Sequence, residues 1–194
     1  MGFSKNDCKL LKYKSELHDI AYKHGTDKTW VKWEDKSYLC YYEEIMKKNR
    51  DEKINFLEIG VRDGSSIKTW DEYFTNYNKI VGIDIIPSVP KFENKENINI
   101  IVGDSSCKNT YNKVKNLNVL FDYILDDGSH KYEEVIKNFD LFFDLVKPGG
   151  FYIIEDLDTI ERMSRRSLMK IIIKIQNKNL KFKMYAETMV IFKD

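Results

Sequence analysis

From position 54 onward, short apolar runs alternate with longer stretches in which apolar residues recur every three or four positions. The runs at 54–60, 79–85, 98–104, 121–125 and 150–154 are rich in Ile, Val, Phe and Tyr, the pattern of buried strands. The stretches between them predict helices through Trp70 and Tyr73 to about Tyr77, over 108–116, and over 130–146. Pro148-Gly149-Gly150 predicts the turn that closes the last of these. Beyond the fifth run, Leu168, Ile171, Ile172 and Ile175 mark a helix over 164–177, and 180–186 and 189–193 alternate like a terminal pair of strands. Strand and helix in regular succession predict an α/β fold, a doubly wound, Rossmann-like parallel sheet.

Before the first strand the pattern is helical. Leu10, Leu11, Leu17, Ile20 and Ala21 share a face over 8–24, stopped at His24-Gly25. The polar Gly25-Thr26-Asp27-Lys28 segment follows, then Trp30 and Trp33, then a second helix over 38–48 on Tyr38, Tyr41, Tyr42, Ile45 and Met46. The expectation is one domain over 1–194, with a helical N-terminal extension at 1–50 and a Rossmann-like core at 51–194.

The polar positions of interest sit where the apolar runs end. Glu58, Asp84 and Asp104 close the first three strands, and ligands of open parallel sheets collect beyond these ends. Gly60 and Gly64 follow the first strand, but the spacing is not that of a pyrophosphate loop, and Arg62 stands where its middle glycine would be. A dinucleotide, and with it a nicotinamide oxidoreductase, is therefore disfavoured. Asp84 is placed to bind the two hydroxyls of a ribose, and Asp104 to accept from an adenine amine. Strands four and five end in Asp126-Asp127-Gly128-Ser129-His130 and Glu155-Asp156. If these strands lie side by side, Asp127, Glu155 and Asp156 converge, and three carboxylates in one crevice repel unless a hard cation joins them.

Composition narrows the partners. Lys and Arg total 32 against 31 Asp and Glu, a net charge of +1, which gives no argument for nucleic acid or an anionic membrane. Cys8, Cys40 and Cys107 are far apart and odd in number, as in a reduced, cytoplasmic protein without a disulfide framework. No signal peptide, membrane span or myristoylation motif is legible. His18 and His24 belong to the first helix and read as structural, with a place at the border of the site as the alternative for His24.

The segments Leu57-Glu58-Ile59-Gly60-Val61, Ile83-Asp84, Gly103-Asp104 and Lys147-Pro148-Gly149-Gly150 resemble class I S-adenosylmethionine-dependent methyltransferases over roughly 54–194. The resemblance implies a seven-stranded sheet whose last two strands are the C-terminal pair. It implies that Glu58 and Gly60 line the methionine end of the cofactor, that Asp84 binds its ribose, and that Asp104 contacts its adenine. Within that class, Asp127-Gly128-Ser129-His130, Glu155-Asp156 and Gly25-Thr26-Asp27-Lys28 resemble the metal-dependent sugar O-methyltransferases of the mycinamicin type. Catechol O-methyltransferase is a looser parallel. This implies magnesium, or manganese in its place, held by Asp127, Glu155 and Asp156, with His130 as general base. It implies that Thr26 and Lys28 serve the methionine end or the acceptor, and that Asp126 contacts the cofactor's amino group or orients its turn. Asp158, next after the ligand pair, is left without an assignment.

The chemistry suits these parts. A sugar hydroxyl is a poor nucleophile at neutral pH; a divalent cation acidifies it, and an imidazole takes its proton. The chain is short after strand five, so the acceptor side would be open, or completed by a second copy or by further domains. Other readings are a catechol-like or other small acceptor, and a non-catalytic cofactor-binding module of a larger glycan-processing protein.

Overall fold

The computed structural model describes residues 15–29, 37–87, 92, 95–157, 164–185 and 187–194. The expectations for Trp30, Trp33, Cys8 and Asp158, and for the helix before residue 15, lie outside the described residues. The chain divides into two compact units, one comprising Met1–Lys53 with Gly64–Tyr77, the other Ile54–Asp63 with Asn78–Asp194. The helical unit therefore includes the helix after the first strand as well as the N-terminal segment.

In the helical unit, α1 (Glu16–His24) starts where the Ser15 side chain accepts from the His18 amide and stops at Gly25. A 3-10 turn, Asp27–Thr29, follows, then α2 (Tyr38–Met46) and α3 (Ser65–Tyr73). Helix α3 ends four residues before the expected Tyr77. Phe74 turns extended, and the Thr75 amide leaves the helix to donate to the Arg50 carbonyl at 3.0 Å. Glu72 ties α3 to α1, accepting from Lys23 Nζ and bonding His24 Nε2, both at 2.7 Å.

His18 is buried in this unit, with Nδ1 3.3 Å from Ser37 Oγ. Burial pushes its pKa below the ordinary value of 6.5, against the pull of Asp19. The unfolded chain then takes up a proton that the folded one refuses. Stability is complete above pH 6.5 and is lost as pH falls from 6.5 toward the lowered folded value. His18→Gln is expected to flatten this part of the pH profile, read from urea midpoints between pH 7 and pH 5.

The second unit is a seven-stranded sheet in the order β3-β2-β1-β4-β5-β7-β6. Its strands are β1 (Asn55–Ile59), β2 (Lys79–Asp84), β3 (Ile98–Val102), β4 (Phe121–Asp126), β5 (Val146–Ile154), β6 (Lys181–Tyr185) and β7 (Thr188–Phe192). The first five pair in parallel; β7 is antiparallel to β5 and β6. The helices are α4 (Lys108–Lys115), α5 (Tyr132–Phe142) and α6 (Arg165–Asn177). The doubly wound sheet expected from the pattern is present, terminal pair included.

One expectation needs correction. Pro148, Gly149 and Gly150 do not form a turn ahead of the fifth strand but lie inside β5. The register slips here: Phe121 is opposite Val146, whereas Tyr123 is opposite Phe151. The Gly149 amide donates to the Lys193 carbonyl at 2.7 Å, and Lys193 donates back to Gly150 at 3.1 Å. Cross-strand bonding therefore absorbs the break as a bulge.

The core lies between one sheet face and the helices. Leu57, Ile59, Ile124, Tyr152 and Ile154 pack with Val135, Phe139 and Phe142 of α5 and Ile171 and Ile175 of α6. Across the other face runs a row of rings, Phe56, Tyr123, Phe151 and Phe192, with successive centroids 6.2, 5.6 and 5.3 Å apart. These cross-strand neighbours hold β1, β4, β5 and β7 in register. Both layers fix where the strand ends come to rest.

Candidate functional site

The sheet order reverses direction between β1 and β4: β2 and β3 lie to one side of β1, and β4 and β5 to the other. In open α/β sheets the ligand crevice forms beyond the carboxyl ends at such a point. The acidic strand ends singled out by the sequence therefore belong to neighbouring strands around it.

Gly60 follows β1 with φ +88, a conformation that disfavours any side chain. A Cβ there would overlap the Asp127 carbonyl oxygen and lie 2.6 Å from its carbon and 3.0 Å from Gly128 Cα. The two loops are thus in backbone contact, and the Asp127 amide donates to the Ile59 carbonyl at 2.9 Å. The absent side chain of Gly60 serves first to seat the turn after β4.

Asp127, His130 and Asp156 come together. One potential ligand atom from each lies within 4.8 Å of the others. His130 Nε2 is 3.6 Å from Asp127 Oδ1 and 3.6 Å from Asp156 Oδ2. His130 is buried, while the two acids are partly exposed. The two carboxylates are hard oxygen donors of the kind magnesium or manganese takes, and the imidazole is a softer donor beside them. Glu155 is outside this group; it is buried, and its amide donates to the Asp126 carbonyl at 3.0 Å.

The backbone here is strained. Five non-glycine residues have positive φ among those described: Arg62, Asn118, His130, Asp156 and Asn179. Asn, Asp and His enter this region more often than other non-glycine residues, yet it stays uncommon for all of them; His130 is at +58 and Asp156 at +54. Such strain persists only where surrounding contacts over-determine it, and it concentrates at functional sites. Both strained side chains point into the same cluster.

The cofactor-side residues are differently placed. Glu58 is fully buried in β1. Asp84, at the end of β2, accepts from the Arg62 amide on Oδ2 at 2.6 Å and from the Ile86 amide on Oδ1 at 2.8 Å. Arg62, read in the sequence as an obstacle, thus contributes its amide to the Asp84 turn. Asp104 is exposed beyond β3, where its Oδ1 accepts from the Ser106 amide at 2.8 Å and its Oδ2 from Cys107 Sγ at 3.3 Å. Hydrogen bonding from Ser106 holds its carboxyl below the ordinary range.

Asp126 does not face the crevice. It is 2% exposed and turned into the core, with Oδ1 accepting from Asn138 Nδ2 at 3.3 Å and Oδ2 from the Tyr152 hydroxyl at 3.1 Å. Burial pushes its carboxyl up to about 7, against these hydrogen bonds and one from the Gly128 amide. Of the two roles expected of Asp126, the geometry favours orienting the turn over contacting a cofactor. Asn138 and Tyr152 were not singled out by sequence. The available signal was Asn138 on the apolar stripe of α5, between Val135, Phe139 and Phe142.

Thr26 and Lys28 lie in the helical unit, both buried. The Lys28 amide donates to Thr26 Oγ1 at 3.4 Å and the Thr29 hydroxyl to the Thr26 carbonyl at 2.8 Å. Their polar atoms order the local turn. Among the described residues no helix is long and apolar enough to cross a membrane.

A family model described as a methyltransferase domain matches residues 57–157. The chain is 30% identical over 151 residues to 8-demethyl-8-alpha-L-rhamnosyl tetracenomycin-C 2'-O-methyltransferase of Streptomyces olivaceus, across 74% of this chain and 38% of that protein. It is 29% identical over 154 residues to mycinamicin VI 2''-O-methyltransferase of Micromonospora griseorubida, across 75% of this chain and 37% of that one. A solved structure of the MycE methyltransferase from the mycinamycin biosynthetic pathway, in complex with Mg, SAH and mycinamycin VI, matches with a TM-score of 0.75 at 26% identity. That match covers 93% of this chain and 55% of the solved one. The chain thus spans well under half the length of these curated relatives.

Proposed function

The chain belongs to the methyltransferase-domain family and has its class I fold, and on that premise we propose that it transfers a methyl group from S-adenosylmethionine to a sugar hydroxyl with the aid of magnesium or manganese. The observation that carries this reading is the convergence of Asp127, His130 and Asp156 beside the crevice at the sheet's reversal point. The names of the relatives, which act on a rhamnosyl tetracenomycin and on mycinamicin VI, support a deoxyhexose glycoside as acceptor.

Asp127 and Asp156 hold the cation in this reading. Glu155, next to Asp156 in the chain, is proposed as a further ligand on the strength of the resemblance. When bound, such a cation lowers the pKa of an acceptor hydroxyl and fixes its position. His130 Nε2 takes the hydroxyl proton as the O–C bond forms and the C–S bond of the sulfonium breaks. The products are the methyl ether, the demethylated cofactor and an imidazolium. The Asp127 and Asp156 carboxylates each lie 3.6 Å from Nε2. Glu58 and Gly60 are assigned to the methionine end, Asp84 to the ribose and Asp104 to the adenine. Each Asp84 oxygen keeps a second lone pair for a ribose hydroxyl beyond the amide bond it already accepts. The roles of Thr26 and Lys28 rest on the resemblance alone. The acceptor side is proposed to be completed by further protein, either a second copy or additional domains, and the setting to be cytoplasmic, in keeping with the free thiols of Cys40 and Cys107.

A second reading of His130 is favoured by one observation: its Nε2 itself meets the spacing of a ligand atom with Asp127 and Asp156. An imidazole in the coordination sphere would shift preference from magnesium toward manganese.

A panel of rhamnosides and other deoxyhexosides, catechols and aglycones, assayed by release of the demethylated cofactor, tests the proposal. Turnover on the glycosides and not on catechols is the expected outcome. Turnover confined to catechols would move the acceptor class. Donor binding by calorimetry without turnover on any acceptor would support a cofactor-binding module instead.

A further inference from the structure

We infer that Asp126, Asn138 and Tyr152 form a buried positioning clamp that sets the turn carrying Asp127 and His130, an inference that rests on the cation-site reading above. Three donors reach the Asp126 carboxylate from three directions: Asn138 from α5, Tyr152 from β5, and the Gly128 amide from the turn itself. Asp126 and Asn138 are each 2% exposed and Tyr152 is fully buried. Gly128 sits against the clamp. A Cβ on it would lie 3.3 Å from Asp126 Oδ1 and 3.8 Å from Asn138 Nδ2.

Two features argue that this is more than core packing. Asn138 Oδ1 is buried with no hydrogen-bond partner. A leucine would fill the same stripe without that cost, so the asparagine is held there for its donor. Tyr152 lies on the strand that delivers Glu155 and Asp156, so one hydroxyl links the two strands that supply the cation ligands. The clamp thereby fixes the separation between Asp127 and Asp156. It also supports the left-handed backbone at His130, a conformation uncommon outside glycine. Partners behind a metal ligand usually act in this way, orienting the ligands without touching the ion.

Tyr152→Phe and Asn138→Leu test the clamp. The readouts are Mn2+ affinity from the electron paramagnetic resonance of free Mn2+, affinity for S-adenosylhomocysteine by calorimetry, and the Cε1–H NMR signal of His130 in the metal-free chain. The Mn2+ dissociation constant is expected to rise about 10-fold or more in each variant, with S-adenosylhomocysteine affinity held within about 2-fold. The His130 signal is expected to shift while those of His18 and His24 stay in place. If Asn138→Leu fails to fold, Tyr152→Phe, which removes one hydroxyl and keeps the ring, carries the test. Wild-type Mn2+ affinity and an unmoved His130 signal in Tyr152→Phe would overturn the clamp and leave the cation reading standing. A wild-type chain that binds no Mn2+, or binds it as well after Asp127→Asn, would overturn both.

Discussion

Gly60→Ala is expected to cost about 100-fold or more in methyl transfer, because the added methyl pushes the Asp127 backbone off its position and a displacement near 1 Å at a reacting centre has that effect. The methyl would overlap the Asp127 carbonyl oxygen and sit 2.6 Å from the carbonyl carbon, and both are backbone atoms that no rotamer change can clear. A left-handed alanine adds about 1–2 kcal/mol and the overlap about 1–3 kcal/mol, so the stability loss should be about 3 kcal/mol in urea denaturation. Gly149→Ala is the matched control. Gly149 also has positive φ, at +80, but nothing lies within 4 Å of its Cβ position. It should lose about 1–2 kcal/mol for the backbone alone and keep full turnover. Equal turnover in the two variants would show that the contact between Gly60 and Asp127 does not matter to the site.

His130→Asn is expected to lower turnover by about 100- to 10,000-fold, the usual contribution of a positioned general base. Asparagine is the informative replacement because it accepts the left-handed backbone that His130 adopts. Alanine would confound loss of the base with strain. The measurement that separates the two readings of His130 is Mn2+ affinity in the same variant. A base leaves affinity within about 2-fold, whereas loss of a ligand weakens binding by 10-fold or more.

Much of this site was legible as strand ends. Apolar runs put Glu58 and Asp84 at the ends of the first two strands, and they lie one residue before the close of β1 and at the close of β2; Asp126, expected just past the fourth strand, closes β4. Asp127, Glu155 and Asp156 were named as strand-end acids and His130 through the resemblance; Asp127, His130 and Asp156 are found together, and Glu155 is outside that group. What the pattern could not carry was the direction of each side chain and its partners. Asp126 and Asp127 are neighbours in sequence, yet the strand's alternation turns the first into the core toward Asn138 and leaves the second beside His130. Glu155 and Asp156 part in the same way: only Asp156, with φ +54, joins the cluster. The break at Pro148-Gly149-Gly150 was visible, but its form depends on bonds to Lys193, over forty residues away in the chain. The early end of α3 was equally invisible, because it follows from the Thr75 amide reaching the Arg50 carbonyl. Local signals mark where a pattern changes; distant partners decide what replaces it.

The most direct test of the central claim is methyl transfer from S-adenosylmethionine to a rhamnosylated acceptor before and after removal of divalent cations with EDTA. Transfer should cease on chelation and return with added Mg2+ or Mn2+ in the wild type, and should not return in Asp127→Asn. Transfer that persists undiminished in the chelated wild-type protein would contradict a cation held by Asp127 and Asp156.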